Sequence, residues 1–499
     1  MTASPNISES SRPSAPAIEQ RAYIAGEWVR LPAGERSLND PNTGEVRQPV
    51  RYASRAQVER ALATAAAAHD AETIDAFPWE KRIELLRQTA DRIDRRQAEI
   101  AIQDSMDTGV PISTTRTISS ALGDRVRSAA DEAESLGQHE VLDHDGRNVV
   151  IMRKPLGPAL IIAPWNAPTF TAVGKIAAAV AAGCPVILKP SENAPNGCQI
   201  LVECFVEAME SMGYPLTAIQ LVHGSGEVGS WLSADERIEA VSFTGGDVAG
   251  RSVAQAAAGN LAVMQMELGS NNPVIVLDDA DLDVTARSIV RGMTRLNGQW
   301  CEAPGKVLVP SARHDELVEA MAAEIAALVV GHGLDTTTEV GPMAFERHYQ
   351  GLQNAVERLK HLGGTVTAGA DLPPLDGWFL SPGIITGCTA DQAVDELFGP
   401  LVTIHPVAST DEAIRLANGP RTGLDAFVFG SDSEKALDVA ARIRAGEVRV
   451  NGTFMSDLAP GSQQTFWADS GIGGHTAESG VKFFLGQRVI GVDSASAPL

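Results

Sequence analysis

The sequence predicts an α/β protein with two doubly wound parallel-sheet domains, one cofactor-binding and one catalytic, plus a small β extension for oligomerisation. Its length, its rhythm and one break in that rhythm predict this. A chain of 499 residues is too long for a single core, because cores stop growing at roughly 250–300 residues. From Ala159 onward short apolar runs alternate with helix-length segments, the pattern of a parallel sheet covered on both faces. The alternation restarts at Val274-Ile275-Val276-Leu277 and runs to Val448-Arg449-Val450-Asn451, which makes a second unit.

The elements follow in order. Residues 1–20 are Ser/Pro-rich, with no basic stretch leading into an apolar one, and are expected to be a disordered tail. Tyr23 to Val50 reads as short strands and turns, and Arg55 to about Leu136 as amphipathic helices. Val149-Val150-Ile151-Met152 is a strand that could cross between domains. Then come strands at Ala159–Ala163, Pro185–Leu188, Ile219–Val222, Ala240–Phe243 and around Val263. Helices at Thr171–Ala182, Asn196–Met212, Glu227–Ser233 and Asp247–Ala258 separate them. The expected division is 21–137 with 155–266 for cofactor binding and 267–450 for catalysis. Residues 138–154 and 481–499 serve oligomerisation, and 451–480 return to the cofactor domain. Gln487–Val492 is strand-like and too isolated to be stable alone.

Composition narrows the function. A net charge of −23 opposes nucleic acid and anionic membrane surfaces, and no window approaches a membrane span. Five scattered cysteines point to free thiols in a reducing compartment, so the cytoplasm is expected.

Four of those cysteines (Cys184, Cys198, Cys204, Cys388) sit in apolar runs and read as small buried hydrophobes. Cys301 differs. It follows Asn297-Gly298-Gln299-Trp300, where glycine permits close backbone approach, and precedes the strand Lys306–Val309. A thiol so placed can be a nucleophile if its thiolate is stabilised. Upstream, Glu267 lies in Met266-Glu267-Leu268-Gly269-Ser270, a carboxylate among apolar residues, and burial there should raise its pKa. Asn166, in Pro164-Trp165-Asn166, follows a strand, and ligands of α/β sheets bind at carboxyl ends of strands. Ser242-Phe243-Thr244-Gly245-Gly246 opens the helix that passes Gly250, a turn suited to a pyrophosphate.

These segments, with Lys189-Pro190-Ser191-Glu192 and Glu396-Leu397-Phe398-Gly399-Pro400, resemble in kind and order the aldehyde dehydrogenase family, from about Tyr23 to Val492. The resemblance implies NAD as cofactor, a small-molecule aldehyde as substrate and a homodimer or homotetramer, with no metal. It makes Cys301 the nucleophile that forms a thiohemiacetal and then a thioester. Asn166 and the Cys301 N–H become donors to the oxyanion, Glu267 the general base, and Lys189 a further catalytic residue. Trp165, Lys189, Glu192, Gly245, Gly246, Gly250, Leu268, Glu396 and Phe398 would hold the cofactor. Glu192 would accept the adenosine ribose hydroxyls and disfavour a 2′-phosphate.

The chain departs from the family pattern at several points. Ser270 replaces a glycine, Pro304 replaces another, and Glu302 puts a like charge beside the thiol unless it points away or pairs with Lys306. Gln463-Gln464-Thr465-Phe466 stands where Pro-Phe-Gly-Gly is usual. His475 replaces a carboxylate, and reads either as a proton relay or as a surface histidine in a Gly-rich loop. The expected substrate-facing residues are Phe170, Thr171, Gly174, Arg295, Trp300 and His475. Small residues at Ala167, Thr171 and Gly174 widen the passage for a bulky or aromatic aldehyde. Arg295 is either a helix-surface residue or a partner for a substrate carboxylate. Two alternatives stand beside aldehyde oxidation. One is a coenzyme A-acylating enzyme, which Glu267 opposes; the other is a non-redox esterase or a degenerate NAD-binding protein.

Overall fold

The computed structural model describes residues 13, 16–142, 148–454, 457–459, 461–475 and 480–493. Most of the 1–20 segment expected as a tail therefore lies outside the described residues. Its end is packed on the body: the Pro16 carbonyl accepts from Gln103 Nε2 at 2.8 Å, and Gln20 Oε1 accepts the Arg51 N–H at 2.9 Å.

Two large sheets form the frame. The first is eight-stranded. Its parallel centre runs, in spatial order, Ile219–Leu221, Val186–Lys189, Ala159–Ile162, Ala240–Thr244 and Val263–Glu267. An N-terminal hairpin, Arg21–Ile24 with Glu27–Arg30, borders one side, and Gly471–Ile472 runs antiparallel along the other. The central strands are mostly apolar because both faces are covered. Ala159 and Ile161 enter one core with the helices Trp79–Thr108, Pro168–Ala182 and Asn196–Met212. Leu160 and Ile162 enter the opposite core with the helix Arg55–Asp70, as the two-residue period of a strand requires.

The second sheet is seven-stranded, in the order Thr365–Val366, Gly383–Thr386, Leu401–Val407, Pro304–Pro310, Asn272–Val276, Asp425–Phe429, Glu447–Val450. All neighbours are parallel except the first pair. Val274 and Val276 face one core, Ile275 and Leu277 the other.

A third sheet corrects the expectation of an isolated C-terminal strand. Leu485–Ile490 pairs antiparallel with Val149–Pro155 of the same chain along its length, and Val149–Pro155 pairs with His139–Leu142. Residues 143–147 and 494–499 of the expected oligomerisation segments lie outside the described residues.

The two large sheets meet at Glu267. The strand Val263–Glu267 ends the parallel part of the first sheet, and Asn272–Val276 opens the second after a short link. No described helix is long and apolar enough to cross a membrane.

Candidate active site

The nucleophile loop is built by hydrogen bonds that leave little freedom. After the helix Leu282–Thr294 the chain makes a left-handed run: Leu296, Asn297 and Gly298 have φ of 50°, 60° and 73°. Only glycine takes such angles cheaply, so tertiary bonds must hold the other two. Asn297 does so. Its Nδ2 donates to the carbonyls of Gly109 and Pro342, both at 2.9 Å, and its Oδ1 accepts the Gly341 N–H at 2.8 Å. Gln299 Nε2 donates to the Thr108 carbonyl at 3.1 Å, and Gln299 Oε1 accepts the Ala344 N–H at 2.9 Å. Asn272 Nδ2 donates to the carbonyl of Cys301 itself at 2.8 Å. Cys301 is thereby fixed beside buried Trp300, Leu296 and Val110.

The loop brings the thiol to Glu267, with Sγ 3.6 Å from Oε1. Burial pushes the thiol pKa well above the usual thiol range, and the carboxylates of Glu267, Glu302 and Glu396 add to the rise. At rest the pair is a thiol donating to a carboxylate.

Asn166 reaches the same loop, and its Nδ2 donates to the Gln299 carbonyl at 2.9 Å. That bond uses one amide hydrogen and orients the second.

The expected rise in the Glu267 pKa is overturned. Burial does push it up, but the cationic His475 and Lys175 and the Thr244 hydroxyl outweigh that and hold the carboxyl well below the usual range. His475 Nε2 lies 3.6 Å from Glu267 Oε1, Lys175 Nζ lies 3.8 Å from Oε2, and Thr244 Oγ1 donates to Oε2 at 3.1 Å. Thr244 is the cross-strand partner of Glu267, so register alone aligns them. Lys175 in turn donates to Thr244.

Lys175, not Lys189, is thus the lysine of the reactive cluster. The sequence carried a signal for it: a single ammonium within the otherwise apolar helix Pro168–Ala182. Lys189 ends the strand Val186–Lys189, and its buried Nζ donates to the Pro190 carbonyl at 3.2 Å.

His475 is brought in by the C-terminal return. Ile472 and Gly471 pair with Met266 and Glu267, Gln265 Nε2 donates to the Gly474 carbonyl at 2.9 Å, and the His475 N–H donates to the Gln464 carbonyl at 2.8 Å. Between the two readings of His475 open from sequence, the geometry favours contact with the carboxylate. Glu302 does not pair with Lys306, whose Nζ faces the Leu416 carbonyl at 3.5 Å. It accepts from Gln464 Nε2 at 2.7 Å, and burial raises its carboxyl pKa. Glu302 and Gln464 are therefore bonded to each other, while Gln464 Oε1 is buried with no partner among the described residues.

Arg295 has partners of its own beside the nucleophile loop. Its Nη1 donates to the Thr453 carbonyl at 2.7 Å, and its guanidinium lies over the Trp300 ring at 5.4 Å.

Of the residues expected to hold a dinucleotide, Trp165, Lys189, Gly245, Gly246 and Leu268 end or follow strands at the carboxyl edge of the first sheet. Glu396 and Phe398 instead lie between the strands Gly383–Thr386 and Leu401–Val407 of the second. Gly246 is the N-cap of the helix Asp247–Gly259 and supplies no side-chain cap, which leaves leading N–H groups for an anionic ligand. Gly250 allows that helix to lie on Leu268, since a Cβ there would come within 2.3 Å of the leucine Cδ2. Glu192 is held by Arg36 at 3.0 Å. The Trp165 ring packs on Phe398, Phe345 and His348, the last two unforeseen from sequence. Burial pushes the Glu396 carboxyl up to about 8, with the Ser270 N–H at 3.3 Å as its opposing bond. A Cβ at Gly269 would fall 2.0 Å from Glu396 Oε2, so that glycine is required. Ser270 contributes only its N–H and has no positive φ, which is why the replacement is accommodated. A buried carboxyl with one backbone donor, a buried ammonium on a carbonyl and an uncapped helix start together suit a ribose and pyrophosphate.

Fold and site define a protein built around a half-buried thiol and a buried carboxylate at the junction of two doubly wound sheets. The profile of the aldehyde dehydrogenase family matches residues 28–490. Geranial dehydrogenase of Castellaniella defragrans is 33% identical over 444 residues, 88% of this chain and 92% of that one. The 3-succinoylsemialdehyde-pyridine dehydrogenase of a Pseudomonas species is 32% identical over 88% of this chain and 92% of its own length. Betaine aldehyde dehydrogenase of Staphylococcus aureus, solved in complex with NAD+, superposes with a TM-score of 0.88 at 30% identity, covering 96% of each chain. A mutant of aldehyde dehydrogenase C from Pseudomonas syringae, solved with NAD+ and octanal, gives 0.88 at 31% identity, covering 98% of this chain and 100% of that one. The chain belongs to the aldehyde dehydrogenase family, whose members oxidise aldehydes with NAD or NADP.

Proposed function

We propose that this protein oxidises a bulky or aromatic aldehyde to the carboxylic acid with NAD, through covalent intermediates on Cys301. The observation that carries this is the 3.6 Å contact between the Cys301 thiol and Glu267, with Asn166 anchored on the same loop. As Sγ attacks the aldehyde carbon, its proton passes to Glu267 Oε1, and the free amide hydrogen of Asn166 donates to the developing oxyanion. Such a donor lowers the barrier by about 3 kcal/mol. Bound NAD supplies the hydride acceptor. Lys189 and Glu192 hold its adenosine ribose, Gly245 and Gly246 its pyrophosphate, and Glu396 its nicotinamide ribose, with Trp165 and Phe398 packing nearby.

The thioester left on Cys301 is then hydrolysed. After the first proton has left Glu267 for solvent, the carboxylate takes a proton from water as the oxygen attacks the acyl carbon. The C–S bond breaks, and Glu267 returns that proton to the leaving thiolate, restoring the thiol as the acid departs. Lys175, Thr244 and His475 keep Glu267 ionised between turnovers. A base at that position favours water over coenzyme A as the acceptor.

Residues 21–137 with 155–266 form the cofactor domain and 267–450 the catalytic domain in this proposal. The three-stranded sheet carries oligomerisation: its outer strand His139–Leu142 is exposed along its length, with Val141 at 66%, an unblunted edge of the kind that pairs with another chain. The test is NADH formation from a panel of aldehydes with and without coenzyme A. Turnover independent of coenzyme A and absent in Cys301→Ala is expected; no NADH from any aldehyde, or an absolute need for coenzyme A, contradicts it.

A further inference from the structure

Arg125 is a cation that the mechanism above does not use. It lies on the helix Leu122–Leu136, and its guanidinium carbon sits 4.1 Å from the centroid of the Phe170 ring. A Cβ at Gly174 would lie 3.5 Å from its Nη2 and 3.6 Å from its Nε. The guanidinium thus lies directly over Gly174, where a side chain longer than a methyl would meet it.

Among the described residues the Arg125 side chain makes neither a hydrogen bond nor an ion pair, and its Nε is buried without a partner. Its neighbour Arg127 holds Asp91, Asp94 and Asp124, and Arg82, Arg96 and Arg237 all meet carboxylates. In a chain of net charge −23, this guanidinium has no carboxylate within ion-pair reach among the described residues, and Glu267 and Asp457 act on it only from farther off. Buried guanidinium groups are ordinarily satisfied, because their donors are costly to leave without acceptors.

The helix Pro168–Ala182 connects this cation to the thiol. Ala167, at its start, packs in the same apolar cluster as Cys301. Thr171 and Gly174 follow at spacings of four and seven residues, on one helix face, and Lys175 reaches Glu267. Seven residues of helix span roughly 10 Å, so the guanidinium beside Gly174 lies about that far along this helix from its thiol-facing start.

We infer that Arg125 binds a carboxylate at the far end of the substrate, so that the substrate is a long or aryl-spaced aldehyde bearing a carboxylate roughly 10 Å from its carbonyl. The inference rests on the aldehyde-oxidising function proposed above and moves the anion partner from Arg295, which is engaged with Thr453, to Arg125. Arg125 is a specificity residue: it holds the chain end and exchanges no proton.

Suberic semialdehyde and its neutral methyl ester make the test pair. Wild-type enzyme is expected to favour the carboxylate in kcat/KM by about 10- to 100-fold, the range for a charge-assisted bond. Arg125→Gln should erase the preference through KM, leaving kcat and the ester unchanged, and Arg125→Lys should restore part of it. Equal use of the two by wild type, or an equal loss of both in Arg125→Gln, overturns the inference while leaving aldehyde oxidation intact. A second measurement is independent of turnover: calorimetric binding of suberate to Cys301→Ala. Binding that Arg125→Gln weakens upholds the anion site even if no aldehyde yields NADH; binding indifferent to Arg125 overturns it.

Discussion

His475 Nε2 lies 3.6 Å from Glu267 Oε1, on the same oxygen that faces the Cys301 thiol. The histidine thus bears directly on the basicity of the group proposed to activate water. Burial lowers the His475 pKa, but the Glu267 carboxylate beside it raises it more, so the imidazolium persists above the ordinary histidine range.

The sign of the pH effect follows. Below the His475 pKa the imidazolium holds Glu267 as a weak base; above it the cation is gone and the base strengthens. Hydrolysis-limited kcat should therefore rise as pH climbs through the His475 pKa. The side chain is 40% exposed, so screening keeps the pair near about 1 kcal/mol, or roughly fivefold in rate. His475→Ala should lose this rise, and its acid limb should move to higher pH because burial then dominates Glu267. A kcat–pH profile unchanged by the substitution contradicts the coupling.

Glu302 adds negative charge next to a thiol already raised by burial and by Glu267. Glu302→Gln should lower the thiol pKa and speed alkylation of Cys301 by iodoacetamide near neutral pH, by roughly tenfold for each pKa unit removed. Slower alkylation would mean that the Gln464–Glu302 bond matters more for loop position than the charge does for the thiol.

Gly298 approaches the Gly399–Pro400 backbone so closely that a Cβ would lie 2.1 Å from the Gly399 carbonyl carbon, at a φ of 73°. Gly298→Ala should cost about 3 kcal/mol and displace the nucleophile. A lowered urea midpoint together with reduced kcat is expected; wild-type values for both would contradict the rigid-loop account.

Glu192 is tied to Arg36 at 3.0 Å, so a cation already stands beside the carboxylate proposed to refuse a 2′-phosphate. Glu192→Gln should release it and shift the NADP-to-NAD ratio of kcat/KM upward by about tenfold. No shift would remove Glu192 from cofactor choice.

The frame was legible because it rests on local signals. The strand at Val186 and the helix Asn196–Met212 follow from apolar runs and from glycines such as Gly183 and Gly213, which end helices in the left-handed conformation. Cys301, Glu267 and Asn166 were legible by family motif, and the structure brings them together. What stayed hidden depends on sequence-distant contacts. Arg125 meets Phe170 and Gly174 through helix packing, and His475 meets Glu267 through an antiparallel return. The Glu267 pKa was misjudged for the same reason: burial is visible in an apolar sequence, whereas Lys175, Thr244 and His475 converge only in three dimensions. The C-terminal strand looked unpaired because its partner, Val149–Pro155, lies far upstream in the chain.

The division of labour between Cys301 and Glu267 is tested most directly by mixing Glu267→Gln with NAD and an aldehyde substrate, then following NADH and intact-protein mass together. The account predicts NADH limited to one equivalent per active site and formed more slowly than in wild type, because the thiol has lost its proton acceptor. A matching acyl adduct on Cys301 is expected, with steady turnover slowed by about 10²- to 10⁴-fold. Full turnover with no adduct, or an adduct that persists in Cys301→Ala, would contradict it.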